Sequence, residues 1–212
     1  MEDMTLRAIR ILKEVDLILA EDTRVTRKIL DKYEIGTSLK RFDSKIEAQN
    51  PEKILELLKG NKDIALVSDA GTPGVSDPGG LIVQTVRKEL PDIEIIPIPG
   101  ASSLTTALSV AGLSETEFTF LGFLPHKKGR ETKFREIAES KQAVVFFESP
   151  HRIMKTLRSL KESLPASRQV TVARELTKIY EEVKSASAEE ILEYFEENPD
   201  KQRGEFVLIV SR

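Results

Sequence analysis

The feature of this sequence that most constrains its fold is the alternation of short apolar runs with longer amphipathic stretches. Residues 64–67 and 143–147 are apolar runs of strand length. Residues 51–59, which Gly60 follows, have the spacing of a helix that ends at a glycine. Strands that alternate with helices in this way predict an α/β fold with largely parallel sheets.

The pattern restarts after Leu113, which predicts two domains, residues 1–114 and 115–212, with the boundary inside 112–117. In the first domain we predict a helix from Met4 to Lys13 with Asp3 as its N-cap, and a second helix from the polar loop 21–24 to about Tyr33. Further helices are predicted over 51–59, 80–90 and 101–111, and strands over 15–20, 64–67 and 93–98. In the second domain we predict strands over 117–123, 143–147, 169–173, 179–185 and 205–210, and helices over 130–140, 150–164 and 188–197.

Composition excludes several classes of site. The chain has no cysteine and only two histidines, His126 and His151, so disulfides, thiolate nucleophiles and cysteine- or histidine-rich metal sites are excluded. No apolar run approaches the roughly 20 residues that span a bilayer, and the acidic N-terminus lacks the basic and apolar regions of a signal peptide. A cytoplasmic protein without metal is therefore expected. Because the net charge is −3, RNA binding would need locally concentrated basic residues.

Residues 68–80 form the most informative segment, because a predicted strand leads into four glycines and two prolines before a helix begins. Ligands bind at the carboxyl ends of strands in open α/β sheets, and glycines let backbone N–H groups approach a ligand closely. Asp69, just past the strand, is placed to accept hydrogen bonds from a ribose or an amino group. A tight structural turn is the alternative interpretation.

A second loop, residues 99–103, also lies between a predicted strand and a predicted helix. Its small residues would admit a ligand to the free N–H groups at the helix N-terminus, although Ser102 or Ser103 could equally cap the helix. Two such loops on one sheet edge favour a shared pocket. Neither G-x-G-x-x-G nor G-x-x-x-x-G-K-[ST] occurs, so a Rossmann dinucleotide site and phosphoryl transfer from a nucleoside triphosphate have no support.

Basic and polar residues follow other predicted strands. Five positive charges fall within nine residues, which is typical of surfaces that contact phosphates, with a solvated basic loop as the alternative. They are Lys127, Lys128, Arg130, Lys133 and Arg135. At the end of the strand 143–147, Glu148 or His151 could act as a base and Arg152 could bind phosphate, although a histidine at a helix start is more often structural. Residues 173–178 carry mixed charges that could equally form a surface salt-bridge cluster.

Six segments occur in an order that resembles a known family. They are residues 21–24 (EDTR), 68–73 (SDAGTP), 99–103 (PGASS), 122–125 (GFLP), 148–152 (ESPHR) and 173–178 (ARELTK). Together they resemble the small-subunit ribosomal RNA 2′-O-ribose cytidine methyltransferases of the tetrapyrrole-methylase superfamily, over nearly the whole chain. The resemblance implies a two-domain α/β fold, each domain a mixed sheet flanked by helices, with S-adenosylmethionine in a cleft between them. It also implies a homodimer and, as substrate, a cytidine ribose in the decoding region of 16S rRNA in the small ribosomal subunit.

Three groups of site residues are expected on this basis. Cofactor contacts are expected from Asp69, Gly71, Thr72, Pro99, Gly100, Ser102, Ser103, Phe147 and Glu205. A catalytic residue that assists deprotonation of the ribose hydroxyl is expected among Glu148, Glu175 and Lys178. RNA contacts are expected from Arg24, Lys127, Lys128, Arg130, His151 and Arg152. No metal is needed, because the sulfonium already makes the methyl group electrophilic and the protein has mainly to align the reactants.

The start of the chain departs from the family pattern. The family normally begins with a strand and a loop of the form G-T-P-x-G-N before the first helix, and Met1 stands almost where that loop should end. We therefore expect a central strand and part of the cofactor wall to be missing, and cofactor binding to be weak. The alternatives to an rRNA enzyme are methylation of a small molecule such as a tetrapyrrole, and a non-catalytic relative that binds RNA.

Overall fold

A computed structural model describes residues 2–43 and 51–212 of the chain. The chain divides into two compact units, Met1–Ser102 and Ser103–Arg212, which we call unit 1 and unit 2. The domain boundary predicted between residues 114 and 115 lies further along the chain and stays a prediction. No helix in the described ranges is long and apolar enough to cross a bilayer.

Unit 1 is a small parallel sheet with helices on both faces. Its elements are α1 Leu6–Glu14, β1 Leu17–Ala20, α2 Thr23–Lys32, β2 Ser38–Arg41, α3 Pro51–Lys59, β3 Ile64–Val67 and α4 Gly80–Glu89. The strand order is β2-β1-β3, and both pairings are parallel. The carboxyl ends of all three strands therefore lie at one edge of this sheet, where the sequence places its candidate ligand loops.

The burial of β1 shows why this arrangement forms. All four residues of β1 are buried, and successive side chains point to opposite faces of the sheet. Ile18 packs in the cluster that includes residues of α1 and α2, whereas Leu17 and Leu19 pack in the cluster that includes residues of α3 and α4. The helix α1 begins two residues later than predicted, because the N-cap is Thr5 instead of Asp3, and the Thr5 hydroxyl accepts a hydrogen bond from the Ala8 amide at 3.1 Å.

The strand predicted over residues 93–98 is wrong, since the structure assigns no strand to this segment. Pro97 has no N–H to donate to a sheet ladder, and the side chains of Ile95 and Ile96 are 37% and 61% exposed. The helix predicted over 101–111 is shorter and belongs to unit 2. The strand β2 was not predicted, because its alternating polar residues carry little apolar signal.

Unit 2 is a larger mixed sheet. Its elements are α5 Ser103–Val110, β4 Phe118–Phe123, α6 Arg130–Glu139, β5 Ala143–Glu148, α7 Ile153–Ser163, β6 Gln169–Arg174, β7 Glu182–Ser187, α8 Ala188–Glu197, a 3₁₀ helix Pro199–Gln202 and β8 Phe206–Val210. The strand order is β4-β5-β8-β6-β7, in which β4 and β5 are parallel and the remaining pairs are antiparallel. This confirms the prediction of an α/β fold with a mixed sheet in the second half.

Alternate residues of β5 build two cores. Val144 and Phe146 pack with residues of α6, α7 and α8, whereas Val145 packs with Ala107 of α5 on the other face. Two predicted boundaries are corrected in this unit. Pro150 precedes the helix α7 instead of lying in its first turn, and residues 179–181, predicted as the first part of a strand over 179–185, belong to the loop 175–181 before β7.

The topology gathers four segments of unit 2 at one sheet edge. Because β5 and β6 both run antiparallel to β8, they are parallel to each other, and β4 is parallel to β5. In the register, Glu148 and Arg174 are both paired with Phe206, so the ends of β5 and β6 are level with the start of β8. The loops that follow β4, β5 and β6 and the residues that precede β8 therefore share this edge.

Candidate active site

The structure joins the two glycine- and serine-containing loops of unit 1. The Thr72 amide donates a hydrogen bond to the Ala101 carbonyl at 2.9 Å, and the Thr72 hydroxyl donates to the same oxygen at 3.1 Å. An isolated β-bridge also pairs Gly71 with Ser102. The loops 68–80 and 99–103 are thus one structural feature, although 28 or more residues separate the paired positions along the chain.

Gly71 is required by this junction. A Cβ atom at this position would lie 2.4 Å from the Ala101 carbonyl oxygen, a separation that real Cβ atoms essentially never show. The backbone φ of Gly71 is +103°, which side-chain-bearing residues rarely adopt. The glycine therefore lets the two loops approach at backbone distance.

Internal hydrogen bonds brace the rest of the first loop. The Ser68 hydroxyl donates to the Asp77 carboxylate at 2.6 Å and accepts from the Ala70 amide at 3.0 Å, and the Gly74 amide donates to the Pro78 carbonyl at 3.2 Å. The second loop is also tied back, because the Thr5 hydroxyl donates to the Pro99 carbonyl at 3.2 Å. A braced loop presents its exposed groups with little entropy left to lose on binding.

Carboxylates collect at the carboxyl ends of the three strands of unit 1. Burial raises the pKa of Glu21, and the carboxylates of Asp77, Asp69 and Asp43 raise it further. Partial burial and the carboxylates of Asp22 and Asp77 likewise raise the pKa of Asp69. The edge that carries the two loops is therefore electronegative and favours a cationic ligand. Among the described residues, no group of three or more His, Cys, Asp or Glu is arranged to hold a metal ion.

In unit 2, Glu148 is buried inside a hydrogen-bonded network at the end of β5. Its carboxylate accepts from the Arg152 Nε at 2.8 Å, from the Thr156 hydroxyl at 2.6 Å and from the Ser149 amide at 2.8 Å. The guanidinium of Arg130 lies 3.6 Å from the same carboxylate and donates to the Thr156 hydroxyl at 2.6 Å. The side chains of Arg130 and Arg152 are only 6% and 13% exposed.

This network bears on three predicted site residues. Glu148, expected as a base, has its carboxylate occupied by donors and fully buried. Arg130 and Arg152, expected to contact RNA, direct their guanidinium groups inward, to Glu148 and to the carbonyls of Pro125 and Leu124. Their surroundings favour a structural role over direct contact with a substrate.

The other predicted RNA-contacting residues are on the surface. His126, Lys127 and Lys128 are exposed in the loop between β4 and α6, and His151 is exposed just before α7. In unit 1, Arg24 is exposed and pairs with Asp22 at 2.6 Å. The Arg24 guanidinium holds the pKa of Asp22 well below its usual range.

Glu175, Lys178 and Glu205 form an ion-pair cluster at the same edge of unit 2. The Lys178 ammonium lies 3.0 Å from Glu175 and 2.8 Å from Glu205. Burial by itself lowers the pKa of Lys178, but the hydrogen bonds to Glu205 and Glu175 outweigh it and raise the pKa. Burial raises the pKa of Glu175, but the Glu205 amide and Lys178 outweigh it and lower the pKa. Lys178 is therefore held protonated and Glu175 ionised at neutral pH.

An aromatic group stands beside the Glu148 network. The ring of Phe147, expected to contact the cofactor, lies 5.0 Å from the ring of Phe120 and 5.5 Å from that of Phe123, centroid to centroid. Phe123 is 53% exposed. The edge of unit 2 thus offers aromatic surface next to the basic loop.

The tip of the loop 175–181 was not predicted as part of a site. There Ile179 and Tyr180 are 90% and 67% exposed, while Arg174 donates a hydrogen bond to the Tyr180 carbonyl at 3.1 Å. Glu175 and Thr177 hold φ angles of +49° and +63°, which are uncommon for residues other than glycine. The sequence does place this apolar pair between charged residues, but residues 179–185 were predicted as a strand, so the pair was assigned to that strand.

The comparisons with known proteins agree with the fold. Residues 1–192 match the family model described as Tetrapyrrole (Corrin/Porphyrin) Methylases. The chain belongs to this methyltransferase family. It is also similar to the methyltransferase CobJ, with a TM-score of 0.72 at 19% identity over 100% of this chain and 89% of that one. For the cobalt precorrin-4 methyltransferase CbiF the TM-score is 0.70 at 15% identity, over 98% of this chain and 89% of the other. The predicted tetrapyrrole-methylase-like fold is thereby confirmed.

The relatives found by sequence similarity carry a more specific name than the family model. The chain is 41% identical to the ribosomal RNA small subunit methyltransferase I of Thermotoga maritima, over 100% of this chain and 93% of the relative. It is 44% identical to the protein of the same name in Bacillus subtilis, over 100% of this chain and 71% of the relative. The family resemblance predicted from the six ordered segments is therefore confirmed.

Proposed function

We propose that this chain is an S-adenosylmethionine-dependent methyltransferase of small-subunit ribosomal RNA. We further propose that it methylates the 2′-hydroxyl of a cytidine in the decoding region of 16S rRNA. The observation that carries the proposal is the junction of the loops 68–80 and 99–103, in a chain over 40% identical to enzymes named for this RNA. We expect the protein to act in the cytoplasm, on the small ribosomal subunit, and as a homodimer.

The joined loops of unit 1 fit the proposed cofactor in shape and charge. Thr72 and Gly100 are exposed small residues beside the junction at Gly71, and Asp69 is exposed near them to accept hydrogen bonds from hydroxyl or amino groups. Burial raises the pKa values of Glu21 and Asp69, and neighbouring carboxylates raise them further, so a cationic ligand at this edge would relieve the repulsion among the carboxylates. When bound, the cofactor supplies an electrophilic methyl group on a sulfonium.

The remaining predicted cofactor contacts stay proposals. Pro99, Ser102 and Ser103 lie in or directly after the second loop, next to the Thr72–Ala101 hydrogen bonds. Phe147 and Glu205 belong to unit 2, at the sheet edge that carries the ion-pair cluster and the basic loop.

Among the three candidate bases, the surroundings favour Glu175. Glu148 is enclosed by donors, and Lys178 is held protonated by two carboxylates. Glu175 is ionised at neutral pH, so its carboxylate can accept a hydrogen bond and then the proton from a hydroxyl group, while Lys178 stays protonated beside it. We expect Glu175→Gln to lower the single-turnover rate of methyl transfer about 10²-fold with little change in cofactor affinity. A rate within about twofold of the wild type would exclude Glu175 as the base.

For RNA, we propose that the exposed side chains of His126, Lys127, Lys128 and His151 provide the contact surface on unit 2. Lysines that neutralise phosphates release counterions, so binding should weaken steeply as salt rises. The net charge of −3 is compatible with this, because the lysines are concentrated in one exposed loop. Arg24 would add a phosphate contact from unit 1.

Methyl transfer from radiolabelled S-adenosylmethionine to isolated small ribosomal subunits, followed by mapping of the modified nucleotide, tests the proposal. Large subunits and a precorrin serve as control acceptors in the same assay. We expect label in the 16S rRNA alone, at the ribose of one cytidine. Label in the precorrin alone would establish a small-molecule methyltransferase instead. RNA binding without label in any acceptor would indicate a non-catalytic relative.

A further inference from the structure

We propose that Glu148, Arg130, Arg152 and Thr156 form a buried clamp that positions the basic loop of residues 125–129 for RNA. The inference rests on the proposed function of that loop as the RNA contact. In this proposal the two arginines are positioning residues that do not touch the RNA themselves.

The clamp reaches both ends of the loop. The Arg152 guanidinium donates to the Leu124 carbonyl at 2.9 Å, and the Arg130 guanidinium donates to the Pro125 carbonyl at 3.2 Å. Arg130 is also the first residue after the loop, and its amide donates to the Lys127 carbonyl at 3.2 Å. The two guanidinium groups therefore hold the backbone just before the lysines, and the residue just after the lysines, Arg130, is itself fixed by its buried side chain.

Glu148 and Thr156 hold the two arginines in place. Glu148 accepts directly from Arg152, whereas its carboxylate is 3.6 Å from Arg130, beyond a good hydrogen bond. The Thr156 hydroxyl bridges this gap, because it donates to Glu148 and accepts from Arg130, both at 2.6 Å. One hydroxyl thus completes the link between Glu148 and Arg130.

Stability alone does not account for such a network. Two guanidinium groups and one carboxylate leave a formal charge of +1 in the interior, and buried ion pairs are often no more stabilising than apolar residues of the same volume. The same charges do give a loop one defined conformation. A loop that is ordered before binding loses less conformational entropy when it meets the RNA.

Arg168 shows that a buried arginine can have a different role in the same unit. It donates to the carbonyls of Ile137, Ala138, Ser140 and Ser211, and within residues 2–43 and 51–212 it donates to no carboxylate. It precedes β6 and so lies at the opposite edge of the sheet from residues 125–129. The clamp is therefore distinguished by its carboxylate and by its contacts to the basic loop.

Thr156→Val tests the clamp in the full chain, because it removes the bridging hydroxyl and keeps the side-chain shape and all three charges. The matched control is Thr171→Val. Thr171 is also buried, and its hydroxyl lies 2.7 Å from the Ser185 hydroxyl between β6 and β7, away from the basic loop. Amide hydrogen exchange of residues 126–129 reports loop order without RNA, and filter binding of a small-subunit rRNA transcript reports affinity.

We expect Thr156→Val to speed loop exchange and weaken RNA binding, each about tenfold, the factor that corresponds to loss of one hydrogen bond to a charged group. Methyl transfer at saturating RNA should change little, so that KM rises more than kcat falls. Thr171→Val should alter neither the exchange of the loop nor the affinity, even where it lowers Tm equally.

Two results would overturn the inference. Equal loop exchange in the two valine variants would show that the network does not hold the loop. Faster exchange with unchanged RNA affinity would show that loop order does not matter for RNA. The double variant Lys127→Gln, Lys128→Gln distinguishes a failure of the clamp from a failure of the proposed RNA contact. If the double variant binds RNA like the wild type, the proposed RNA contact fails, and loop exchange alone then decides whether the clamp exists.

Discussion

Replacement of Gly71 by alanine should separate the two loops of unit 1, and Gly74 provides a matched control. Both glycines have positive φ, +103° and +86°, so alanine costs about 1–2 kcal/mol at either position through backbone strain alone. The positions differ in space. A Cβ at residue 74 meets nothing within 4 Å, whereas at residue 71 it lies 2.4 Å from the Ala101 carbonyl oxygen.

The additional cost at Gly71 follows from this contact. Reaching a tolerable separation of 3.0 Å requires the backbone of one loop to move by several tenths of an ångström. Thr72 donates two hydrogen bonds to that same carbonyl oxygen, each with a net contribution of about 1 kcal/mol. We therefore expect Gly71→Ala to lower the free energy of unfolding by about 3–4 kcal/mol, against about 1–2 kcal/mol for Gly74→Ala.

Urea denaturation followed by circular dichroism measures this difference, because the chain has no tryptophan to report by fluorescence. For a chain of this size, a difference of about 2 kcal/mol corresponds to about 4–8 °C in Tm. Calorimetric titration with S-adenosylmethionine should show a larger loss of affinity for Gly71→Ala than for Gly74→Ala. If the two variants unfold within about 0.5 kcal/mol of each other, the loop junction does not carry the stability argued for it.

Three further predictions concern charge. Glu148→Gln should lower the free energy of unfolding by about 3–5 kcal/mol, because two buried guanidinium groups lose their counter-charge, and a loss below about 1 kcal/mol in urea denaturation would contradict this. Burial raises the pKa of Glu21 in the folded protein, and the carboxylate of Asp77 raises it further. The stability that Glu21 contributes is therefore complete below its unfolded pKa and is lost as pH rises through the folded pKa. Glu21→Gln should therefore raise Tm at neutral pH, with the gain vanishing towards about pH 4, and a gain independent of pH would refute the assignment. Lys127→Gln with Lys128→Gln should reduce the salt dependence of RNA binding by about two units of slope, whereas Lys141→Gln, at an exposed position just before β5, should leave it unchanged.

Local patterns predicted most elements of the fold correctly. The bounds of α3, β3 and α8 agree with the structure to the residue, because each has an apolar periodicity with clear end signals. The capping of α8 illustrates this, since Ser187 and Glu190 form a capping box that depends only on residues three apart. The ordered motif segments likewise identified the family, because their residue types and order are properties of the sequence itself.

Predictions that depended on residues distant in the sequence were less accurate. Residues 93–98 are as apolar as a strand, yet a strand needs a neighbour with free backbone groups, and no local pattern reports whether one is present. Glu148 and Arg152 looked like a base and a phosphate ligand because both follow a strand end. Their inward orientation depends on Thr156, one turn into α7, and on Arg130, at the start of α6.

The sequence by itself determined most of the helices and strands, the glycines that allow close approach of a loop, and the family. The tertiary structure alone decided which charges are exposed and which are enclosed. The physical reason is that periodicity and end signals depend on residues a few positions apart, whereas burial and ion pairing depend on partners that only folding brings together. Lys127 and Arg130 are three residues apart in one basic segment, yet the lysine is exposed and the arginine is held inside by Glu148.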